Sequence, residues 1–136
     1  MKKYKNAIIV IALVFCGILG WRYYEEQKML HLHHTYEVSL AKALKNSYKD
    51  IEEIHFDNPY YSDKSGSWGT DVVLVFSDGI KIEYRTYHSM HETTNHSPSV
   101  GGKHASEIID SLDSRVGKTT SVVKVYYSNK QTEEIK

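Results

Sequence analysis

The sequence predicts an α+β fold: an N-terminal transmembrane and stalk helix, then a four- to five-stranded antiparallel sheet packed with the stalk end and one short helix. Three observations lead there. Ala7 to Gly20 (AIIVIALVFCGILG) contains no charged or strongly polar side chain. No glycine or proline interrupts residues 21–58, so a helix that starts in the apolar run can continue beyond it. Further on, apolar residues alternate with polar ones at the period of strands, and turn formers separate the runs.

The anchor comes first. Its apolar core of about 14 residues is short against the roughly 20 of a full bilayer crossing. Tyr4, Asn6 and the flank of Trp21, Tyr23 and Tyr24 lengthen it. Lys2, Lys3 and Lys5 precede the run, so lysines can snorkel at one end while an aromatic belt sits at the other. The same lysines should stay cytoplasmic, leaving the rest of the chain outside. Signal-peptide cleavage wants small residues at −3 and −1, and the best candidate offers Ile18 and Gly20. Acylation of Cys16 wants a small residue before it, where Phe15 stands. An uncleaved signal anchor is therefore expected over residues 1–24, a stalk helix over 25–50 and an extracytoplasmic domain over 51–136.

On the stalk, Met29, Leu32, Tyr36, Leu40, Ala43 and Leu44 recur every three or four residues, an apolar stripe that should lie on the sheet. Lysines 42, 45 and 49 complement the helix dipole. Ile51 to Asp57 reads as a first strand and residues 58–68 as a loop. Thr70 to Phe76 and Ile80 to Tyr87 read as a hairpin around Ser77-Asp78-Gly79. A two-residue Asp-Gly turn would mix the faces. A three-residue loop with Gly79 left-handed pairs Phe76 with Ile80, Leu74 with Ile82, Val72 with Tyr84 and Asp71 with Arg85, so that register is expected. His88 to Lys103 reads as a mobile polar loop. Ala105, Ile108, Ile109, Leu112 and Val116 give a short amphipathic helix ended by Gly117. Thr119 to Tyr127 and Thr132 to Ile135 are the last strands.

Composition bounds the chemistry. Of 17 basic residues, four lie in the first 22 positions, which hold no acid; 13 remain against 17 acids, so the domain is mildly acidic. Nucleic acid is not an expected partner, because neutralising phosphates needs a basic stripe. The one cysteine, Cys16, excludes an intramolecular disulfide. No phosphate-cradling glycine loop or GxSxG elbow is present, and the adjacent pairs Glu52-Glu53 and Glu133-Glu134 would point to opposite strand faces. A non-enzymatic protein with no cofactor is expected.

Two kinds of site residue stand out. Eight histidines invite a metal or pH-responsive reading. His31, His33 and His34 lie on the stalk; His88, His91 and His96 crowd the polar loop with Glu92 and form the candidate metal set. The aromatic residues Tyr60, Tyr61, Trp68, Tyr84 and Tyr126 are the candidate protein-binding set, since Tyr and Trp anchor interfaces.

Ile54-His55-Phe56-Asp57-Asn58-Pro59, running on to Ser65-Gly66-Ser67-Trp68, is one familiar stretch; Val123-Lys124-Val125-Tyr126-Tyr127-Ser128-Asn129 with Glu133-Glu134-Ile135 is another. With the short anchor, they resemble small exported proteins of streptococci and related Gram-positive bacteria. The layout is also similar, more distantly, to the TipC family of immunity proteins. That resemblance implies an anchored domain outside the cell that binds and blocks a toxin delivered by type VII secretion. It carries over no binding residue, because no specific TipC motif is present. Lys130 stands where such endings usually have a turn glycine. The partners expected are thus the membrane and another protein, a secreted toxin being the candidate; the alternatives are a histidine-rich envelope protein and an accessory subunit of a membrane assembly.

Overall fold

The computed structural model describes residues 2–136. Helix α1 spans Lys2–Lys45, followed by strands β1 (Ile51–Tyr61), β2 (Trp68–Phe76), β3 (Lys81–His88) and β4 (Pro98–Ser99), helix α2 (Ala105–Asp113), and strands β5 (Val123–Tyr126) and β6 (Thr132–Ile135). The chain falls into two compact units, one ending at Leu32 and the other running His33–Lys136. In the first, an 18-residue window of α1 has a mean hydropathy of 1.9 and is long and apolar enough to cross a membrane. Its side chains from Ile8 to Leu19 are largely exposed, as a lipid-facing helix requires.

In the second unit, the last turns of α1 lie against the sheet because Leu40, Ala41 and Leu44 fall on one helical face and are fully buried. Opposite them stand Ile54 and Phe56 of β1, Val72 and Leu74 of β2, Ile82 and Tyr84 of β3, and Val123 and Val125 of β5, with Leu112 of α2 completing the cluster. Each fully buried aliphatic side chain contributes about 1.5–3 kcal/mol before ordering costs. The helix end is fixed by Thr119, whose hydroxyl donates to Tyr48 O (2.6 Å) and accepts from Ile51 N (3.1 Å). Lys45 is buried and donates to Thr119 O at 2.9 Å, so it ties the strand linker to the helix rather than merely complementing the dipole.

The sheet is six-stranded and mixed, in the order β4-β3-β2-β1-β5-β6. This corrects the purely antiparallel arrangement: β5 pairs with β1 in parallel, with Ile54 opposite Val125. The segment between β3 and β5 contains α2 and is long enough to return a strand in the same direction, which no tight turn could do. The β2–β3 hairpin has the expected register, with Leu74 opposite Ile82, Val72 opposite Tyr84 and Asp71 opposite Arg85. Gly79 has φ +86° and Phe76 N donates to Ile80 O at 3.0 Å.

Other boundaries differ. β1 runs on through Asn58, Pro59 and Tyr60 to Tyr61 because Asn58 takes φ +51° at a bulge, so the loop begins only at Ser62. The segment expected as a mobile loop contains β4, and its Asn95 is buried: Asn95 N donates to Ser47 Oγ (2.6 Å), Nδ2 donates to Tyr87 O (2.8 Å) and Oδ1 accepts from Thr86 Oγ1 (3.0 Å). Helix α2 ends at Asp113 with Ser114 as its cap, well before Gly117, and of the five apolar side chains expected to be buried only Leu112 is; Ile109 and Val116 are exposed. Lys130 has φ +73°, the left-handed conformation that explains why a glycine would be usual there.

Candidate functional site

Both helices contribute to the core on one face of the sheet, so the strand residues of opposite parity form a face that no helix covers. Along β2 these are Asp71, Val73 and Val75; along β1, Glu53 and His55; along β3, Lys81, Glu83, Arg85 and Tyr87; along β5, Lys124 and Tyr126. All are exposed or half-buried. Val73 and Val75 are the apolar centre of this face.

Beside them the rings of His55 and Tyr126 stack across the parallel β1–β5 pair, centroids 4.2 Å apart and planes within 3°. Glu53 holds the stack: its carboxylate accepts from Tyr126 Oη at 3.2 Å and lies 3.3 Å from His55 Nε2. The bond to His55, then that of Tyr126 and the charges of His55 and Lys124, keep the Glu53 carboxyl below its usual range. On the other side, Arg85 Nη1 bonds Asp71 Oδ1 at 3.0 Å and Asn58 Nδ2 bonds Asp71 Oδ2 at 3.0 Å. A shallow depression of about 440 Å³ lies over Val73 and Val75, between His55, Asp71, Glu83 and Lys130.

The bulge in β1 decides where the tyrosines go. It resets the alternation, so Tyr61 turns toward the core and Tyr60, opposite Gly69, becomes exposed. Gly69 also pairs with Tyr87, and a Cβ there would meet Tyr87 Cδ1 at 2.8 Å; the missing side chain lets that ring lie across the strand. Tyr60 and Tyr87 therefore flank Gly69 on the rows beside it, each more than half exposed.

Of the binding residues expected from the sequence, Tyr60 is exposed and Tyr61 and Tyr126 are half-buried. Trp68 and Tyr84 are neither: each lies on the inward parity of its strand and is almost fully buried. Trp68 stacks on Tyr36 (5.0 Å between centroids) and donates from Nε1 to His33 Nδ1 at 3.0 Å. Both are core aromatics. His55, Val73 and Val75 were missed, although Val72-Val73-Leu74-Val75 is apolar at both parities and so leaves valines on a second, helix-free face.

The three loop histidines do not converge. His88 is buried, with Nε2 2.9 Å from Ser39 Oγ and Nδ1 3.5 Å from Glu92; His91 is exposed, and His96 is exposed with its ring edge-on to Tyr48. Among the described residues, no group of three or more His, Cys, Asp or Glu side chains is placed to hold a metal ion. His88, against Ser39 of α1, and His33 of α1, against Trp68 of β2, instead bridge α1 and the sheet. Burial lowers the pKa of His33 and of His88, in the latter against the opposing charge of Glu92. Glu37, fully buried, accepts from Ser128 N (3.0 Å) and Oγ (3.1 Å), and burial raises its pKa despite those bonds. No known protein family, curated protein or solved structure matches the chain.

Proposed function

We propose that the chain is a membrane-tethered, non-catalytic module that binds another protein through the helix-free face of its sheet, on the outer side of the membrane. The observation that carries this reading is the composition of that face. Val73 and Val75 form an apolar centre, the His55–Tyr126 stack is held in place by Glu53, and charged residues surround them. A centre that excludes water within a polar rim is how protein interfaces are built. The lysine cluster before the apolar helix supports the orientation, and the resemblance noted above makes a secreted toxin the candidate partner, with immunity as the role.

The test uses the full chain in its own membrane. A photo-crosslinking residue at Val73 or Tyr126 should yield an adduct with one protein, and the same residue at Ser106, on exposed α2, should not. Adducts independent of position would refute the face, and a domain resistant to protease added to wall-stripped cells would refute the orientation. A second reading, a pH-responsive domain, is favoured by His33, whose Nδ1 accepts the Trp68 indole proton only while that nitrogen is unprotonated.

A further inference from the structure

We infer that the free edge of β3 pairs with the same edge of a second copy of this chain, antiparallel and centred on Ile82, making a two-fold dimer. The starting point is an edge left half covered. β4 pairs only with Arg85 and Thr86. Then Gly101 and Gly102, the latter at φ +91°, turn the chain away into α2. Lys81 to Tyr84 of β3, and Ile80 just before them, are left with no strand on the side away from β2.

Which backbone groups point outward follows from the hairpin. Phe76 N bonds Ile80 O, and in an antiparallel ladder the bonded pairs recur every second residue. Ile80 thus directs its C=O toward β2 while its N–H donates to Asp78 Oδ1 at 3.1 Å, Ile82 and Tyr84 direct both N–H and C=O toward β2, and Lys81 and Glu83 direct theirs to the open edge. Among the described residues, no backbone or side-chain group bonds those outward groups. A row of alternating donors and acceptors is a template that another extended backbone matches group for group.

The side chains say whose backbone. Reading Ile80-Lys81-Ile82-Glu83-Tyr84 against itself in reverse puts Lys81 opposite Glu83, Ile82 opposite Ile82 and Ile80 opposite Tyr84. Both Lys81–Glu83 pairs lie on the open face and join opposite charges, while the apolar pairs lie on the core side. The bonded positions in this register are Lys81 and Glu83 themselves, so every outward group on both copies finds a partner. Sliding by two residues either way places Lys81 opposite Lys81 or Glu83 opposite Glu83, which is unfavourable. Ile80, 47% exposed, gains an apolar neighbour. There is also room: a groove of about 310 Å³ separates Ile80 and Ile82 from Ile108 of α2. The other sheet edge, β6, presents Glu133 and Glu134 and would repel its own copy. An isologous two-fold contact closes on itself and adds no further chains.

A five-residue ladder is small and would hold free domains weakly. Confinement of both copies to one bilayer raises their effective concentration, and this part rests on the membrane reading.

The test uses the full chain in liposomes, with association read by energy transfer between labelled copies. Lys81→Glu alone and Glu83→Lys alone should each weaken association at least about tenfold, by replacing attraction with repulsion at two symmetric pairs. The double variant K81E/E83K should restore it, and K81E chains mixed with E83K chains should associate as well as wild type does. Carbodiimide coupling of light and heavy-isotope chains should give a mixed-isotope amide between Lys81 and Glu83. Wild type that stays monomeric, single variants that associate normally, or a double variant as weak as the singles would each overturn the dimer. These outcomes are independent of whether the helix-free face binds a partner, since the crosslinks at Val73 report on that separately.

Discussion

Glu37 offers the sharpest test of how α1 is held to the sheet. Its carboxylate is fully buried without a cationic hydrogen-bond partner, and both of its bonds come from Ser128 in the β5–β6 turn. Glu37→Ala removes two charge-assisted bonds worth about 1.5 kcal/mol each and a buried methylene worth about 0.8. Releasing the desolvated charge returns part of that, so the net loss should be about 2 kcal/mol, or roughly 8–16 °C for a domain of this size. Glu37→Gln keeps the shape. Its carbonyl can accept from Ser128 N while its amide donates to Ser128 Oγ, so no bond is lost and the buried charge is gone; stability at pH 7 should equal or exceed wild type. The native pKa of Glu37 is raised, so its contribution is greatest at low pH and declines as pH rises from 4.5 through the raised native value. The advantage of Glu37→Gln should therefore open over that window. The assay is thermal unfolding of the full chain in detergent, followed by the fluorescence of Trp68. If Glu37→Gln is as damaging as Glu37→Ala from pH 5 to 8, the carboxylate is needed as an anion and the argument fails.

Four further outcomes follow from the geometry. His33 and His88 have native pKa values lowered by burial, so stability should be complete above pH 6.5 and fall as pH drops from there toward the depressed native values; His33→Gln should flatten the melting profile between pH 7 and 5.5, and an unchanged wild-type profile would remove the effect. Lys130→Gly should raise the melting temperature by roughly 4–8 °C, because relieving φ +73° is worth about 1 kcal/mol. Gly69→Ala should cost about 1 kcal/mol or more and shift the Tyr87 ring resonances, because its Cβ would also stand 3.2 Å from Thr86 O, which cannot swing aside. A double-mutant cycle on Asp71 and Arg85, each about one-third exposed, should give a coupling below about 1 kcal/mol that shrinks with added salt.

What the residues disclosed in advance was local. The β2–β3 register could be read because a single turn glycine and an apolar face of period two leave one consistent pairing, and Thr132 to Ile135 stands out as a strand for similar reasons. The parallel pairing of β5 with β1 could not, because nothing near Val123 records that its partner lies about 70 residues earlier. Trp68 and Tyr84 look like surface aromatics in a list of residues. Their burial depends on which parity faces α1, and that is settled only when the helix and strands meet. The bulge at Asn58 is the clearest case: one left-handed residue reverses the faces of Tyr60 and Tyr61, and an Asn before a proline signals only a turn.

The placement of β5 has a bearing on biogenesis. β1 occupies an interior position in the finished sheet, yet one of its flanks stays bare until Val123–Tyr126 has been made. While the polypeptide is still emerging, Ile54 and its neighbours form a provisional margin open to stray strands, the kind of surface on which nascent chains aggregate. Shortened products that stop after α2 should accordingly be prone to misassembly and degradation even with the entire β2–β3 hairpin intact. The segment that follows α2 thus acts as a seal, and its arrival decides when the domain becomes safe from its own siblings.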